Sequence, residues 1–457
     1  MNLDGPLDFE SEDPLVNPPA SVEKRKKVIG LDDLLSDFYK EKSKLIDKQN
    51  KKRKASKVYD SDDDEQHSQE AVISKYVDQC QNQMNEIGGE EDIQEWGLSM
   101  FGDQKTPTSS LQYDLDSCCL LKEFMNSQLN SLVDLSPDDG ANFLEGLLVN
   151  GWLKKLVLTC GRVEAIICKW TLNLLLYSPK EDLRSSACGL WCSILLSQTE
   201  DDGAPVEIDW IPNYQLLKEA LGSYGFKTNP SQDVELAEAD SESQVPPQNI
   251  RAWLKFVAVC CQIRCKNPIF STSQVEQLAE ILVWLLLDRG LQGLSLLLQE
   301  CLISVIGSFK EEEWVSSCKN IANSLASRVP QDMNCLRIVE SVSGVDARSK
   351  HLRSLISYQM IVVLLDHKDS DEKLMSSLMS INLKEKSCNL FKTYIFLVLV
   401  ENWLFSSKLV EEKPVLKDMW AVFLRNCSCQ ISSTDLRPFA SKVRTKAAYL
   451  LQGCISN

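Results

Sequence analysis

From about Leu115 onward, large apolar residues recur at intervals of three and four, the spacing that lines one face of an α-helix. Phe143, Leu144, Leu147 and Leu148 begin one such stripe. Val163, Ile166, Ile167, Trp170 and Leu174 form another, and Ile250, Trp253, Leu254, Val257 and Cys261 a third. Further stripes predict helices near 275–287, 294–306, 314–326, 352–365, 388–405 and 415–424. The chain between Pro330 and Pro414 contains no proline, which suits long helices. No stretch alternates apolar and polar residues over a useful strand length. The pattern predicts an all-α fold.

Several of these helices are apolar on more than one side, as EILVWLLLDRG and LVLVENWLF show, so each needs a neighbour on both flanks. Stacked helical pairs supply that cover, and a spacing of about 20 to 25 residues per helix predicts an irregular HEAT- or armadillo-like solenoid. No repeated residue signature marks a period. The array divides into a first half at 115–226 and a second at 250–457. Between them lies an acidic loop, 227–249, with five acidic residues and three prolines, read as mobile.

The N-terminal quarter follows another pattern. Residues 1–114 hold 25 acidic and 15 basic side chains, and four prolines fall within the first 19 residues. Sustained apolar periodicity is missing, so the segment reads as a largely disordered acidic tail over 1–70 and an acidic, partly helical linker over 71–114. Two short amphipathic helices interrupt it. Leu31, Leu34, Leu35 and Phe38 fall at i, i+3, i+4 and i+7, and Val72, Tyr76, Cys80, Met84 and Ile87 recur near helical spacing.

Composition narrows the function. The whole chain carries 49 Lys and Arg against 65 Asp and Glu, a net −16, which opposes strong DNA binding by the solenoid or attraction to an anionic membrane. Three histidines leave little acid/base or metal chemistry near neutral pH. Seventeen cysteines, mostly inside apolar helical pattern, read as small core residues. The opening residues MNLDGPLDFESEDPLV lack the basic and apolar regions of a secretory signal, so reduced thiols and a nuclear or cytosolic home are expected. Asp288 and Arg289 interrupt the best membrane candidate, Ile281–Leu298, and no span is predicted.

Motifs for catalysis are scarce. Neither a phosphate-binding loop nor a dinucleotide fingerprint occurs, and Gly222-Ser223-Tyr224-Gly225 lacks the spacing of a nucleophile elbow. Cys188/Cys192 and Cys261/Cys265 are i, i+4 pairs without a second pair at zinc spacing, so helix-core roles are expected. His67 lies in the acidic tail, while His351 and His367 flank a helix and read as exposed. No catalytic residue, metal or cofactor is expected. The consecutive Lys51, Lys52, Arg53 and Lys54 suit a nuclear import receptor. Ser61, followed by Asp62, Asp63, Asp64 and Glu65, suits an acid-directed kinase, whose phosphate would add about −1.5 to −2 charges. The Leu31 to Phe38 stripe either folds back on the solenoid or docks in a partner's groove; the long polar linker after it favours the partner.

Read in order, the helical part resembles a known family. The segments WTLNLLLY from Trp170, SSACGLWCSIL, and DWIPNYQLLKEALGSYGF from Asp209 are similar to the CANIN domain. So are NIRAWLKFVAVC, SLISYQMIVVLLDHK and TDLRPFASKV, in collinear order over about residues 115–450, with Trp210-Ile211-Pro212 the most specific piece. The family includes the SMC five/six localization factor of animals and the non-SMC element six of fungi. The resemblance implies a non-enzymatic helical subunit that pairs with a non-SMC-element-five-like helical partner, binds the SMC five/six heterodimer and helps load it on chromatin in DNA repair. It offers no compact motif whose residues carry over. A nuclear adaptor that carries peptides in transcription or transport is the alternative, and a cryptic hydrolase a third reading.

Overall fold

The computed structural model describes residues 96–105, 118, 119, 137–198, 205–227, 247–264, 266, 268–366, 370–406 and 409–456. All of them fall within one compact unit, Glu90–Asn457. Sixteen α-helices make up almost all of its regular structure: α1 (Pro137–Val149), α2 (Trp152–Cys160), α3 (Ala165–Tyr177), α4 (Glu181–Leu196), α5 (Tyr214–Ser223), α6 (Ile250–Gln262), α7 (Thr272–Leu286), α8 (Ser295–Gly307), α9 (Glu311–Arg328), α10 (Asn334–Ser341), α11 (Ala347–Leu365), α12 (Asp371–Met379), α13 (Leu390–Phe405), α14 (Leu409–Glu412), α15 (Pro414–Gln430) and α16 (Ala440–Ser456). The protein is an all-α helical solenoid, as the apolar periodicity predicts.

Local chemistry sets the helix ends. Ser271 caps α7 in a reciprocal box, its hydroxyl accepting from the Gln274 amide while the Gln274 side chain accepts from the Ser271 amide at 2.9 Å. Asp346 caps α11 by accepting from the amides of Arg348 and Ser349. Pro414 opens α15, where its missing N–H breaks no helical hydrogen bond. The only regular strands among the described residues are two of two residues each, β1 (Arg162–Val163) and β2 (Glu207–Ile208), paired in parallel. Val163 therefore belongs to a strand, where the apolar spacing had put it in a helix; Glu164 turns the chain and α3 starts at Ala165.

The helices stack in sequence. α4 lies between α3 and α6, α6 lies on α8, and α8 touches α7 and α11. The succession continues through α7, α9, α11, α13, α16 and α15 to α12. With α10, α11, α14 and α16 around it, α13 can be buried at Ile395, Phe396, Leu397, Leu399, Val400, Trp403 and Leu404 alike. One buried cluster runs from Leu98 to Ala447. Nine of the cysteines, including Cys188, Cys260, Cys261 and Cys301, are buried in it.

Arginines fasten successive turns. Buried Arg264, after α6, donates to the Phe270 and Ser308 carbonyls at 3.1 and 2.8 Å and to Glu313 at 3.2 Å, joining the start of α7 to the junction of α8 and α9. Arg348 donates to the carbonyls of Ile306, Gly307 and Phe309. Their forked donors satisfy the carbonyls that helix C-termini leave open.

The segment Arg289–Gly307 is long and apolar enough, by length and composition alone, to cross a membrane. It begins as a 3-10 turn at Arg289–Leu294 and continues as α8, whose Leu298, Cys301, Leu302, Val305 and Ile306 are buried against α6, α7 and α11. Those contacts hold one face of α8 in the array.

Candidate functional site

Within the segment read as a linker over 71–114, residues 96–105 enter the solenoid as a non-helical strap. Met100 and Phe101 are fully buried. Two glycines, Gly97 and Gly102, break any helical pattern here, so no local signal marks the segment as core. Its burial comes from residues more than a hundred positions away.

The strap is held mostly through its backbone. The Gly97 amide donates to the Asn334 side chain at 2.7 Å, and the Leu98 amide to the Leu287 carbonyl at 3.0 Å. The Met100 amide donates to Asp288 Oδ2 at 2.9 Å, and the Met100 carbonyl accepts from the Lys227 amide at 2.9 Å. Farther along, Gly102 donates to the Gly225 carbonyl and Lys105 to that of Ser223. Leu98 thereby pairs in parallel with Asp288, and Phe101 antiparallel with Phe226. The rings of Phe101 and Phe226 meet edge to face at 5.9 Å.

Three elements form the receptor. The first is the end of α5, where Gly222-Ser223-Tyr224-Gly225 is a helix terminus. The Ser223 hydroxyl donates to the Glu219 carbonyl, and the buried Tyr224 hydroxyl to the Leu176 carbonyl at 2.6 Å. Gly225 has φ +86°, and a Cβ there would sit 2.5 Å from the Gly102 carbonyl oxygen. The second is Asp288, at the turn after α7. Burial pushes its carboxyl up from the ordinary value, against the amides of Met100, Gly290 and Leu291 and the charge of Lys227. The third is the start of α10, where Asn334 and Arg337 stand. The Trp96 ring lies 4.3 Å from the Arg337 guanidinium and 5.6 Å from that of Arg289, beside a cavity of about 80 Å3 lined by Leu285, Leu298 and Glu340.

This arrangement holds an extended segment of the chain itself: loop carbonyls and the Asp288 carboxyl take up its amides, and Leu98, Met100 and Phe101 are buried. Among the described residues no group of three His, Cys, Asp or Glu is placed to hold a metal. Cys188 and Cys192 share one face of α4 with sulfurs 4.0 Å apart. His351 is half-buried in α11 rather than exposed, its ring against Trp314 and its pKa lowered by burial.

The residues singled out in the sequence are not brought together. Leu31, Leu34, Leu35 and Phe38, the basic run Lys51, Lys52, Arg53 and Lys54, and Ser61 all lie outside the described residues, as do His67, His367, Cys265 and most of the 227–249 loop. The strap and its receptor were missed, because hydrogen bonds spanning 188 and 237 positions leave no local trace.

Residues 226–370, from the Phe226 that meets the strap through α11, match the model of the Coiled-coil and Nse Interacting (CANIN) domain. This segment is similar to a CANIN domain. The strap lies outside the matched CANIN residues yet packs on Phe226, Asp288 and Asn334 within them. The chain is also similar to the human Protein FAM178B, 24% identical over 246 residues. That match covers 49% of this chain and 35% of the relative, so the chain spans about a third of the protein it resembles. No solved structure matches the chain. A CANIN domain in an all-helical array points to a non-enzymatic scaffold that works through protein contacts.

Proposed function

We propose that this protein is a nuclear scaffold subunit that pairs with a non-SMC-element-five-like helical partner and binds the SMC five/six heterodimer to regulate or load it on chromatin in DNA repair. The CANIN match at residues 226–370 carries the reading. The helical array supports it by offering long outward faces, and the acidic balance suits a subunit that regulates a DNA-binding machine without gripping DNA itself. In this reading Leu31, Leu34, Leu35 and Phe38 dock on the SMC machine. Lys51, Lys52, Arg53 and Lys54 engage an import receptor, and phosphorylation of Ser61 beside that run tunes import.

Affinity purification of the full chain from nuclear extract, followed by mass spectrometry, tests the reading. SMC proteins together with a helical subunit are the expected result, and their absence overturns it. One observation favours a second reading, a nuclear adaptor that carries peptides: the receptor for the strap already accepts an extended segment. Recovery of many unrelated proteins through short extended motifs, without SMC proteins, would select the adaptor.

A further inference from the structure

The row formed by α4, α6 and α8 presents an outward surface that the strap does not use. α4 packs on α6 and α6 on α8. At one end Glu181 and Arg251, in the first turns of α4 and α6, share a cleft with Gly290, Leu291 and Leu294 just before α8. Toward the other end Gln262 donates to the Ser304 hydroxyl at 3.2 Å. α2 lies beside α4.

Large apolar side chains stand out from this row. Leu296 and Ile303, two turns apart on α8, are 68% and 46% exposed, Leu196 at the end of α4 is 37% exposed, and Trp152 and Leu158 on α2 are 56% and 42% exposed. Interspersed with them are the exposed Lys154 and Lys155 of α2 and Lys255 of α6. The charges of Lys154 and Lys255 both act on the half-buried Cys192 thiol, so cations from α2 and α6 flank the outward side of α4. Among the described residues no carboxylate pairs with any of these three lysines; Lys155 instead covers the Trp152 ring at 4.8 Å. Glu300 is the one acid on the described stripe between Leu296 and Ile303.

We propose that this face docks an amphipathic helix of a partner protein whose apolar stripe is flanked by aspartate or glutamate. The proposal rests on the scaffold reading above and names the surface and the chemistry of the partner. Unpaired cations in a chain of net charge −16 are complementary to acids the chain itself does not place there. Exposed leucine, isoleucine and tryptophan match the anchors of a helix laid across a helical row. A phosphate backbone would gain the lysines and leave those apolar groups unmatched, while the field of the whole chain repels it.

The test uses the full chain with p-benzoylphenylalanine in place of Leu296, in nuclear extract, with the same cross-linker in place of Val345 as a control. Val345, 83% exposed, precedes α11. The expected cross-linked peptide has apolar residues at helical spacing flanked by acids, and is absent from the control. Lys154→Glu, Lys155→Glu and Lys255→Glu together should lower recovery of that partner by roughly tenfold or more. Should the triple variant melt early, Leu296→Glu with Ile303→Glu replaces it. Cross-links equal to the control, a peptide without acids, or unchanged recovery overturns the proposal. So does binding to a short DNA duplex that the triple variant abolishes. If the unaltered chain captures no helical subunit or SMC protein, the scaffold reading itself has failed; if it does and the charge-reversed chain does equally, only the surface assignment has.

Discussion

Phe101→Ala tests whether the strap belongs to the fold. The ring is 1% exposed and sits edge to face with Phe226. Truncating a buried phenylalanine costs about 3–5 kcal/mol, transfer and cavity together, with the aromatic pair included in that range. An unfolding entropy of about 2.1 cal/mol/K per residue over the roughly 370 residues of Glu90–Asn457 gives about 0.8 kcal/mol/K. The melting temperature should therefore fall by about 4–6 °C. Hydrogen exchange locates the damage: the amides of Leu98, Gly102 and Lys227, which join strap to receptor, should exchange faster than those inside α13. Trp152→Ala, at a 56% exposed site, should change stability by no more than about 0.5 kcal/mol. If Phe101→Ala melts within about 1 °C of the unaltered chain and the three amides keep their protection, the strap is not part of the core.

Gly225→Ala forces a Cβ to 2.5 Å from the Gly102 carbonyl at φ +86°, and should release the strap at a cost above about 1 kcal/mol; Gly102→Ala, whose Cβ meets nothing nearer than 3.5 Å, should be much milder by the same exchange measurement. The Glu313 carboxyl, accepting from Thr272 at 2.6 Å and also from the Lys310 amide and Arg264, is held down at about 2 against an ordinary 4.5. Its charged form stabilises the fold, so that contribution is complete above pH 4.5 and lost as pH falls from there toward 2; Glu313→Gln should flatten melting temperature against pH across that window. Leu34→Asp with Phe38→Asp should abolish capture of SMC proteins, because two anchors worth about 1.5–3 kcal/mol each are lost, while melting stays unchanged. A melting point several degrees lower would place the stripe on the solenoid. Alanine at Lys51, Lys52, Arg53 and Lys54 together should leave a fluorescent fusion in the cytoplasm, and unchanged nuclear signal would remove the import assignment.

The helices were legible because their burial is periodic. Ile250, Trp253, Leu254, Val257 and Cys261, picked out by spacing alone, are all at most 2% exposed in α6. What escaped was set by partners distant in the chain. Val163 reads as helix from its apolar neighbours and is taken into a strand by Ile208. His351 reads as a surface residue until Trp314 of α9 covers one side. The strap is the extreme case, since ten residues with two glycines carry no period, and only Asp288 and Asn334 give Met100 and Gly97 a place. The surface around Lys255 was hidden for a related reason: five helices and 149 positions of chain separate Lys154 from Ile303, and only stacking brings their helices together.

The strap also sets a timetable for synthesis. Met100 leaves the ribosome 188 residues ahead of Asp288, and Gly97 leaves 237 residues ahead of Asn334. At about 5–20 residues per second the two partners follow some ~10 to ~50 s later. Through that interval Met100 and Gly97 lack their side-chain partners, although Phe226 follows Phe101 by only 125 residues, while helices from α1 onward are already emerging and able to pair. Knotting the first described residues to the middle of the chain makes completion of the core a late event, and makes a nascent chain stalled before residue 288 a natural client for a chaperone.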